Sequence, residues 1–237
     1  MTFRYLLIWA VLLTSVSLCQ AQEEEEYIQN GTYFAIKGGL SINNQNWERQ
    51  ITTDLLFTPS FDMMAESYDS GSASRVYAQL GFHQRGSALG GFGFRRFASY
   101  KFNNVVLELG GRRMALDGEK WDGYYMLGLR GEYTLSTNLS ETSNTSVFNL
   151  VIDDYVRKFN YGVTIGGGFE YDLGDYKQIF VEVVFSPDLS AQYDQPYEFT
   201  VINPFPVVGG STENITISPQ KVRNYSLELK VGYKWLY

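Results

Sequence analysis

From Arg223 to Tyr237 the chain alternates without a break. Tyr225, Leu227, Leu229, Val231, Tyr233, Trp235 and Tyr237 are apolar or aromatic, and Asn224, Ser226, Glu228, Lys230, Gly232 and Lys234 between them are polar or small. Successive side chains of a strand point to opposite faces, so this pattern predicts a strand with one apolar and one polar face. The segment outlasts the strands usual in soluble proteins. Tyr33 to Ile42 repeats it, with Phe34, Ile36, Leu40 and Ile42 against Lys37 and Ser41. Asp54 to Ala65 sets Leu55, Phe57, Phe61 and Met63 against Thr58, Ser60 and Asp62, with Pro59 a weak point because proline donates no ladder hydrogen bond. Arg75 to Arg85 alternates Val76, Ala78, Leu80 and Phe82 with Tyr77, Gln79, His83 and Arg85. In Asn104 to Arg113, Val105, Leu107 and Leu109 oppose Glu108 and Arg112; in Tyr124 to Leu135, Tyr125, Leu127, Leu129, Tyr133 and Leu135 oppose Arg130, Glu132 and Thr134. Phe159 to Tyr171 and Tyr176 to Ser186 complete the set, with Glu170 and Glu182 on their polar faces.

Eight such segments predict an all-β fold, an eight-stranded antiparallel up-and-down transmembrane β-barrel, because an even strand number and a lipid-facing apolar side belong to that class. No helical periodicity of useful length competes with it. Connector lengths agree. The links at Asp172 to Asp175, Glu66 to Ser74 and Ala115 to Gly123 are short, whereas the alternate ones, about 43–53, 86–103, 136–158 and 187–222, are long. Short turns on one side and long loops on the other are the asymmetry of outer-membrane barrels, with the long loops external and both termini periplasmic. Aromatic residues gather at both predicted ends: Tyr125, Tyr171, Tyr233, Trp235 and Tyr237 at one, Tyr133, Phe159, Tyr161 and Tyr225 at the other. A soluble eight-stranded barrel would turn its apolar face inward and show charge to solvent. The polar faces here are rich in Gly, Ser, Thr and Asn, which suits a lumen better.

The start of the chain breaks the pattern. Arg4, the apolar run Leu6 to Leu13 and the Cys19-Gln20-Ala21 sequence predict a signal peptide over residues 1–21, cut after Ala21. The run is too short to cross a bilayer as a helix. A lipoprotein signal with Cys19 as the lipidated residue is the rival, weakened by the bulky Leu18 before it. Residues 22–32, with Glu23 to Glu26, then form an acidic periplasmic tail, and residues 33–237 the barrel. Removing the leader takes away the chain's one cysteine, so the mature protein forms no disulfide. Mean hydropathy is −0.20, too polar for a helical membrane protein, but alternation conceals the hydrophobicity of a barrel from an average. With Lys and Arg 19 and Asp and Glu 26 in all, loss of Arg4 leaves a mature charge of about −8, and no basic patch suited to nucleic acid.

Three stretches, YFAIKGGLS at Tyr33 to Ser41, FNYGVTIGGGFEYDLGDY at Phe159 to Tyr176 and LELKVGYKW at Leu227 to Trp235, resemble the PorT-like outer-membrane β-barrel proteins of Bacteroidetes. The resemblance covers most of the mature chain. It implies an eight-stranded barrel in the outer membrane of a Gram-negative bacterium. It implies no particular role, since most members of that group have none assigned.

The lumen of so small a barrel is filled by side chains. Lys37, Asp62, His83, Arg85, Glu108, Arg112, Arg130, Glu132, Glu170, Glu182, Glu228 and Lys230 fall on inward positions, as does Lys234, and are expected to pair into a polar plug. His83, the single histidine, followed by Ser87, raises the alternative of a barrel hydrolase, but catalysis needs a base, nucleophile and orienting group in mutual reach. A small channel or solute-uptake component is another alternative. No metal-ligand spacing is present, and Gly166 to Gly168 is no phosphate loop because no helix follows. No catalytic residue, cofactor or metal is therefore expected. The long loop after Pro187 holds Tyr193, Tyr197, Phe199 and Phe205, as a binding patch or as a cap over the mouth. The aromatic terminus, Tyr233, Trp235 and Tyr237, resembles the signal read by the barrel-assembly machinery. The expected partners are outer-membrane lipid, that machinery, and an envelope protein or surface ligand at the external loops. The expected function is non-enzymatic, structural or surface-interacting.

Overall fold

The computed structural model describes residues 30–48, 53–90, 96–139, 153–174, 176–196, 198–202, 214–217 and 219–237. The predicted signal peptide and the tail up to residue 29 lie outside them. Eight long strands run in sequence: β1 Asn30–Trp47, β2 Leu56–Asp69, β3 Ser74–Gly90, β4 Arg96–Leu116, β5 Trp121–Thr137, β6 Phe159–Gly174, β7 Lys177–Pro187 and β8 Gln220–Leu236. Each pairs antiparallel with the next, and β8 pairs back to β1 from Val222↔Trp47 to Leu236↔Tyr33. The sheet is thereby closed into a barrel.

Alternation sorts the side chains as the pattern predicts. On β8, Asn224, Ser226, Glu228, Lys230 and Lys234 are buried, while Tyr225, Leu227, Leu229, Val231 and Trp235 are exposed. Leu129 is 71 % exposed and Val76 68 %, values that no soluble core would tolerate but that a bilayer accommodates. The apolar stretch from Tyr225 to Trp235 spans about 34 Å of strand, or roughly 26 Å along the membrane normal at a tilt of ~40°. That matches the hydrocarbon band of an outer-membrane barrel. The fold is thus an eight-stranded antiparallel transmembrane barrel.

Several predicted boundaries move. β1 begins at Asn30, three residues into the stretch assigned to the tail, where it pairs with Asp69 to Ser67. On the external side β1 continues to Trp47, β3 to Gly90 and β4 starts at Arg96, so the expected loops 43–53 and 86–103 are largely strand. The loop 136–158 carries a short 3-10 turn at Asp153–Tyr155, and 187–222 contains strand pairs at Tyr193–Gln195 and between Glu198–Ile202 and Asn214–Ile217. The cause is common to all of these. Above the membrane the outward positions become polar (Asn44, Asn46, Gln84, Lys101, Asn103), so the contrast that marks a strand fades while the backbone ladder, indifferent to side-chain polarity, continues.

Pro59 sits in β2 opposite Leu40, and the ladder from β2 to β3 begins only at the next residue, Ser60↔His83. The Thr58 hydroxyl donates to the Gln84 carbonyl at 2.6 Å and ties the two strands beyond the proline. At the β6–β7 turn Gly174 has φ 83°, and its N–H donates to an Asp172 carboxylate oxygen at 2.8 Å.

Closure depends on Gly39. A Cβ there would stand 2.0 Å from the Leu229 carbonyl oxygen on β8, which is backbone and cannot rotate away. Gly39→Val is therefore expected to block the β1–β8 seam, seen as loss of the heat-modifiable band on gels after refolding. A normal folded band from this variant would contradict the seam geometry.

Candidate functional site

Among the described residues, buried charged groups concentrate in the lumen. Among the described residues its interior holds seven cations (Lys37, Arg75, Arg85, Arg112, Arg130, Lys230 and Lys234) and eight carboxylates, with His83 among them. A near balance of sign is what a buried interior requires, because an unpaired buried charge costs several kcal/mol.

Towards the periplasmic end the network centres on Arg112 of β4. Its guanidinium reaches Glu66 at 2.9 Å, Glu170 at 3.0 Å and Glu182 at 2.8 Å, and lies over the Tyr124 ring at 4.3 Å. Lys234 joins Glu170 at 2.6 Å, Arg75 joins Glu66 at 3.0 Å, and Lys37 pairs with Glu182. One strand alone could not assemble this group; β1, β2, β3, β4, β6, β7 and β8 each contribute a side chain. Farther up, Lys230 bridges Asp62 at 2.7 Å and Glu228 at 2.6 Å, and His83 Nε2 meets Asp62 at 2.6 Å. Arg85 then links Glu228 and Glu132 at 3.2 and 3.0 Å, and Arg130 joins Glu132 at 2.6 Å and Asp188 at 2.5 Å.

All thirteen lumen positions read from the sequence are buried inside the barrel. Their partners are not always the neighbours that register suggests. Glu108 and Arg130 face each other across β4 and β5, yet Glu108 accepts from the Tyr77 and Thr164 hydroxyls, while Arg130 turns to Glu132 and Asp188. Three members of the network, Glu66, Arg75 and Asp188, were not among the predicted lumen residues. The first two flank a turn, but the two-residue period through Asp62 and Met64 to Glu66, and back from Gln79 and Tyr77 to Arg75, carries them inward. Asp188 lies past Pro187, where the periodic segment ends, and no sequence signal marks it.

Apolar side chains close both parts of the bore. Ala35, Met64, Tyr77, Tyr124, Met126, Phe180 and Val184 pack together within it. At the external mouth Trp47, Tyr100, Phe102, Leu139, Tyr193 and Val222 form a second cluster, with Tyr155 and Val156 against it. The chain after β7 builds that cap. Gln192 N–H donates to the Val222 carbonyl at 2.9 Å and Tyr193 pairs with Val222, so the segment runs along β8 and folds Tyr193 over the opening. Tyr193 thus belongs to a cap; the side chains of Tyr197, Phe199 and Phe205 fall outside the described residues. A polar path just below, from Gln45 and Asn224 to Gln192, is fully bridged, with Gln45 Nε2 donating to Asn224 at 2.8 Å.

His83 is 2 % exposed, and its ring sits between Asp62 and Arg85. Ser87 is not its partner, since that hydroxyl donates to Gln45 Oε1 at 2.7 Å. A histidine and a carboxylate are in contact, and the inward Ser60 stands across the ladder from His83. At the terminus Tyr233, Trp235 and Tyr237 point outward; Trp235 stacks on Tyr233 at 5.9 Å and lies 6.5 Å from Phe34.

No family model matches the sequence, and no curated protein matches it. Solved structures do. The outer membrane protein OprG from Pseudomonas aeruginosa is 11 % identical, with 87 % of this chain and 97 % of that one covered, at a TM-score of 0.48. Neisserial surface protein A is 9 % identical over 89 % of this chain and 99 % of its own, at 0.45. The attachment invasion locus protein Ail of Yersinia pestis, solved with the heparin analogue sucrose octasulfate, is 11 % identical over 86 % and 99 %, at 0.41. The similarity is one of barrel form alone.

Proposed function

We propose that this chain is a non-conducting, non-enzymatic integral protein of a Gram-negative outer membrane, delivered by a signal peptide cut after Ala21, with a structural or surface-interacting role in the envelope. The filled bore carries this reading. Ion pairs fill the bore in two groups, one around Arg112 with Lys234 and one from Lys230 to Arg130, and the Trp47–Tyr193 cluster lies across the mouth. Nothing in that arrangement gives hydrated ions a passage, and the histidine that a hydrolase would need is sealed beneath it. The PorT-like stretches in β1, β6 and β8 support a home in the envelope of Bacteroidetes. The external ends of the strands, which rise beyond the lipid band, are the surface available to an envelope partner.

The experiment is conductance of the refolded protein in planar bilayers. The expected trace shows no steady channel. A stable, reproducible open state would overturn the non-conducting reading and favour the solute-uptake alternative.

A further inference from the structure

Inside the barrel the side-chain amides find acceptors. Asn43 donates to Thr58, Gln45 to Asn224, Gln79 to Asp62, Asn104 to Glu132, Gln192 to Thr134 and Asn224 to Asp188. Among the described residues three buried, neutral side-chain nitrogens have no hydrogen-bond partner: Trp47 Nε1, Gln195 Nε2 and Gln220 Nε2. All three stand at the external mouth.

The sheet brings them to one corner. Gln220, the first residue of β8, is the ladder partner of Gln195 on the short strand Tyr193–Gln195. Two positions lower, Val222 faces Tyr193 on one side and Trp47 of β1 on the other. Gln220 and Val222 lie on the same face of β8, about 7 Å apart along the strand. The two amides therefore sit directly above the cap that Trp47, Tyr193 and Val222 help to form. The Tyr193 hydroxyl donates to Gln195 Oε1 at 2.8 Å, which occupies the oxygen of that amide and leaves its nitrogen unmatched. Glu48, Pro196, Pro219 and Lys221, the chain neighbours of the three donors, are exposed, so the corner borders the outside.

A buried donor without an acceptor costs free energy, and a fold that matches its other amides has no structural reason to keep three such donors side by side. The groups that want partners here are donors only, which narrows what could supply them. A peptide strand would bring N–H groups along with its carbonyls and strand those in turn. An anion would want a free cation; Arg157 is already paired with Asp194, and Lys221 points to the opposite face of β8. A sugar hydroxyl meets the demand, because its oxygen accepts while its hydrogen rotates to a neighbouring hydroxyl or to water. The floor under the amides is aromatic, with Trp47 against Tyr100 at 5.4 Å and Tyr155 against Tyr193 at 6.2 Å, and such rings offer an apolar surface to the C–H face of a sugar ring. We infer that the external mouth binds an uncharged sugar unit of a glycan through Trp47, Gln195 and Gln220. The inference rests on the surface-interacting role proposed above and gives it a ligand class.

The test applies fluorescently labelled, refolded protein in amphipol to an array of uncharged glycans, acidic glycans and short peptides, beside the double variant Gln195→Met with Gln220→Met. The wild type should bind uncharged glycans. The double variant, which keeps the side-chain volume, should bind them about tenfold more weakly, as the loss of two ordinary hydrogen bonds predicts. The same variant should unfold at the wild-type urea concentration or above it, because it removes two unmatched amides. Binding of no glycan, or of acidic glycans or peptides alone, would overturn the inference, as would undiminished binding by the double variant. A lower urea midpoint for that variant would show that the amides already have partners in the free protein, and would overturn it as well. Steady conductance in planar bilayers with sugar binding intact would strike the non-conducting reading and leave this one standing.

Discussion

Arg112→Met is expected to remove 3–5 kcal/mol or more of stability, about the cost of breaking a buried ion pair by deleting one partner. Arg112 holds Glu66, Glu170 and Glu182 at 2.8 to 3.0 Å, so its loss leaves three buried carboxylates to the weaker company of Lys37, Arg75 and Lys234. Methionine keeps much of the volume against Tyr124 and Phe180, so the effect isolates charge from packing. Urea titration in detergent micelles, following the heat-modifiable band, reads it. Adding Glu170→Gln and Glu182→Gln to Arg112→Met should not recover the loss, because those carboxylates are the partners of Lys234 and Lys37, which would then be stranded in turn. If Arg112→Met unfolds at the wild-type urea concentration, the carboxylates around it are hydrated and the bore is not dry.

That network shows where sequence reading works and where it stops. The side of the sheet on which a residue lies is a local property with a period of two, so Lys37, Glu182 and Lys230 could be placed inward from their neighbours alone. Which inward residues touch is set by how far adjacent strands are staggered as the sheet closes, and that stagger is not written in any single strand. Lys37 and Glu182 are 145 positions apart in sequence, and Glu108 passes over the arginine directly across from it to take two hydroxyls. Strand ends were hidden for a different reason. The predicted loops 43–53 and 86–103 end a pattern of lipid contact, whereas β1, β3 and β4 end where ladder bonds end, several residues higher. The cap at the mouth was visible only as a choice between a cap and a binding patch, because Tyr193 in sequence is just an aromatic residue in a long connector.

The C-terminal strand carries the second large effect, and its two faces separate two causes. Replacing the outward Tyr233, Trp235 and Tyr237 together by alanine removes side chains that pack on one another and on Phe34 at the barrel's outer face. Replacing the inward Lys234 by methionine takes a cation from Glu66 and Glu170, at 3.4 and 2.6 Å. If the aromatic end is the feature that assembly machinery reads, the triple variant should refold from urea in micelles with a modest loss of stability. In cells it should reach the outer membrane at a level lower by about tenfold, the equivalent of ~1.4 kcal/mol in an effective recognition equilibrium. Lys234→Met should behave the other way: a loss of several kcal/mol in the urea titration, with whatever folded protein survives found in the outer-membrane fraction. The comparison needs both readouts on both variants. Normal accumulation of the triple variant in the outer membrane would sink the recognition role of these residues and leave them as interface anchors, and equal stability losses in the two variants would mean that the seam between β1 and β8 depends as much on its lipid-facing aromatics as on the charges it encloses.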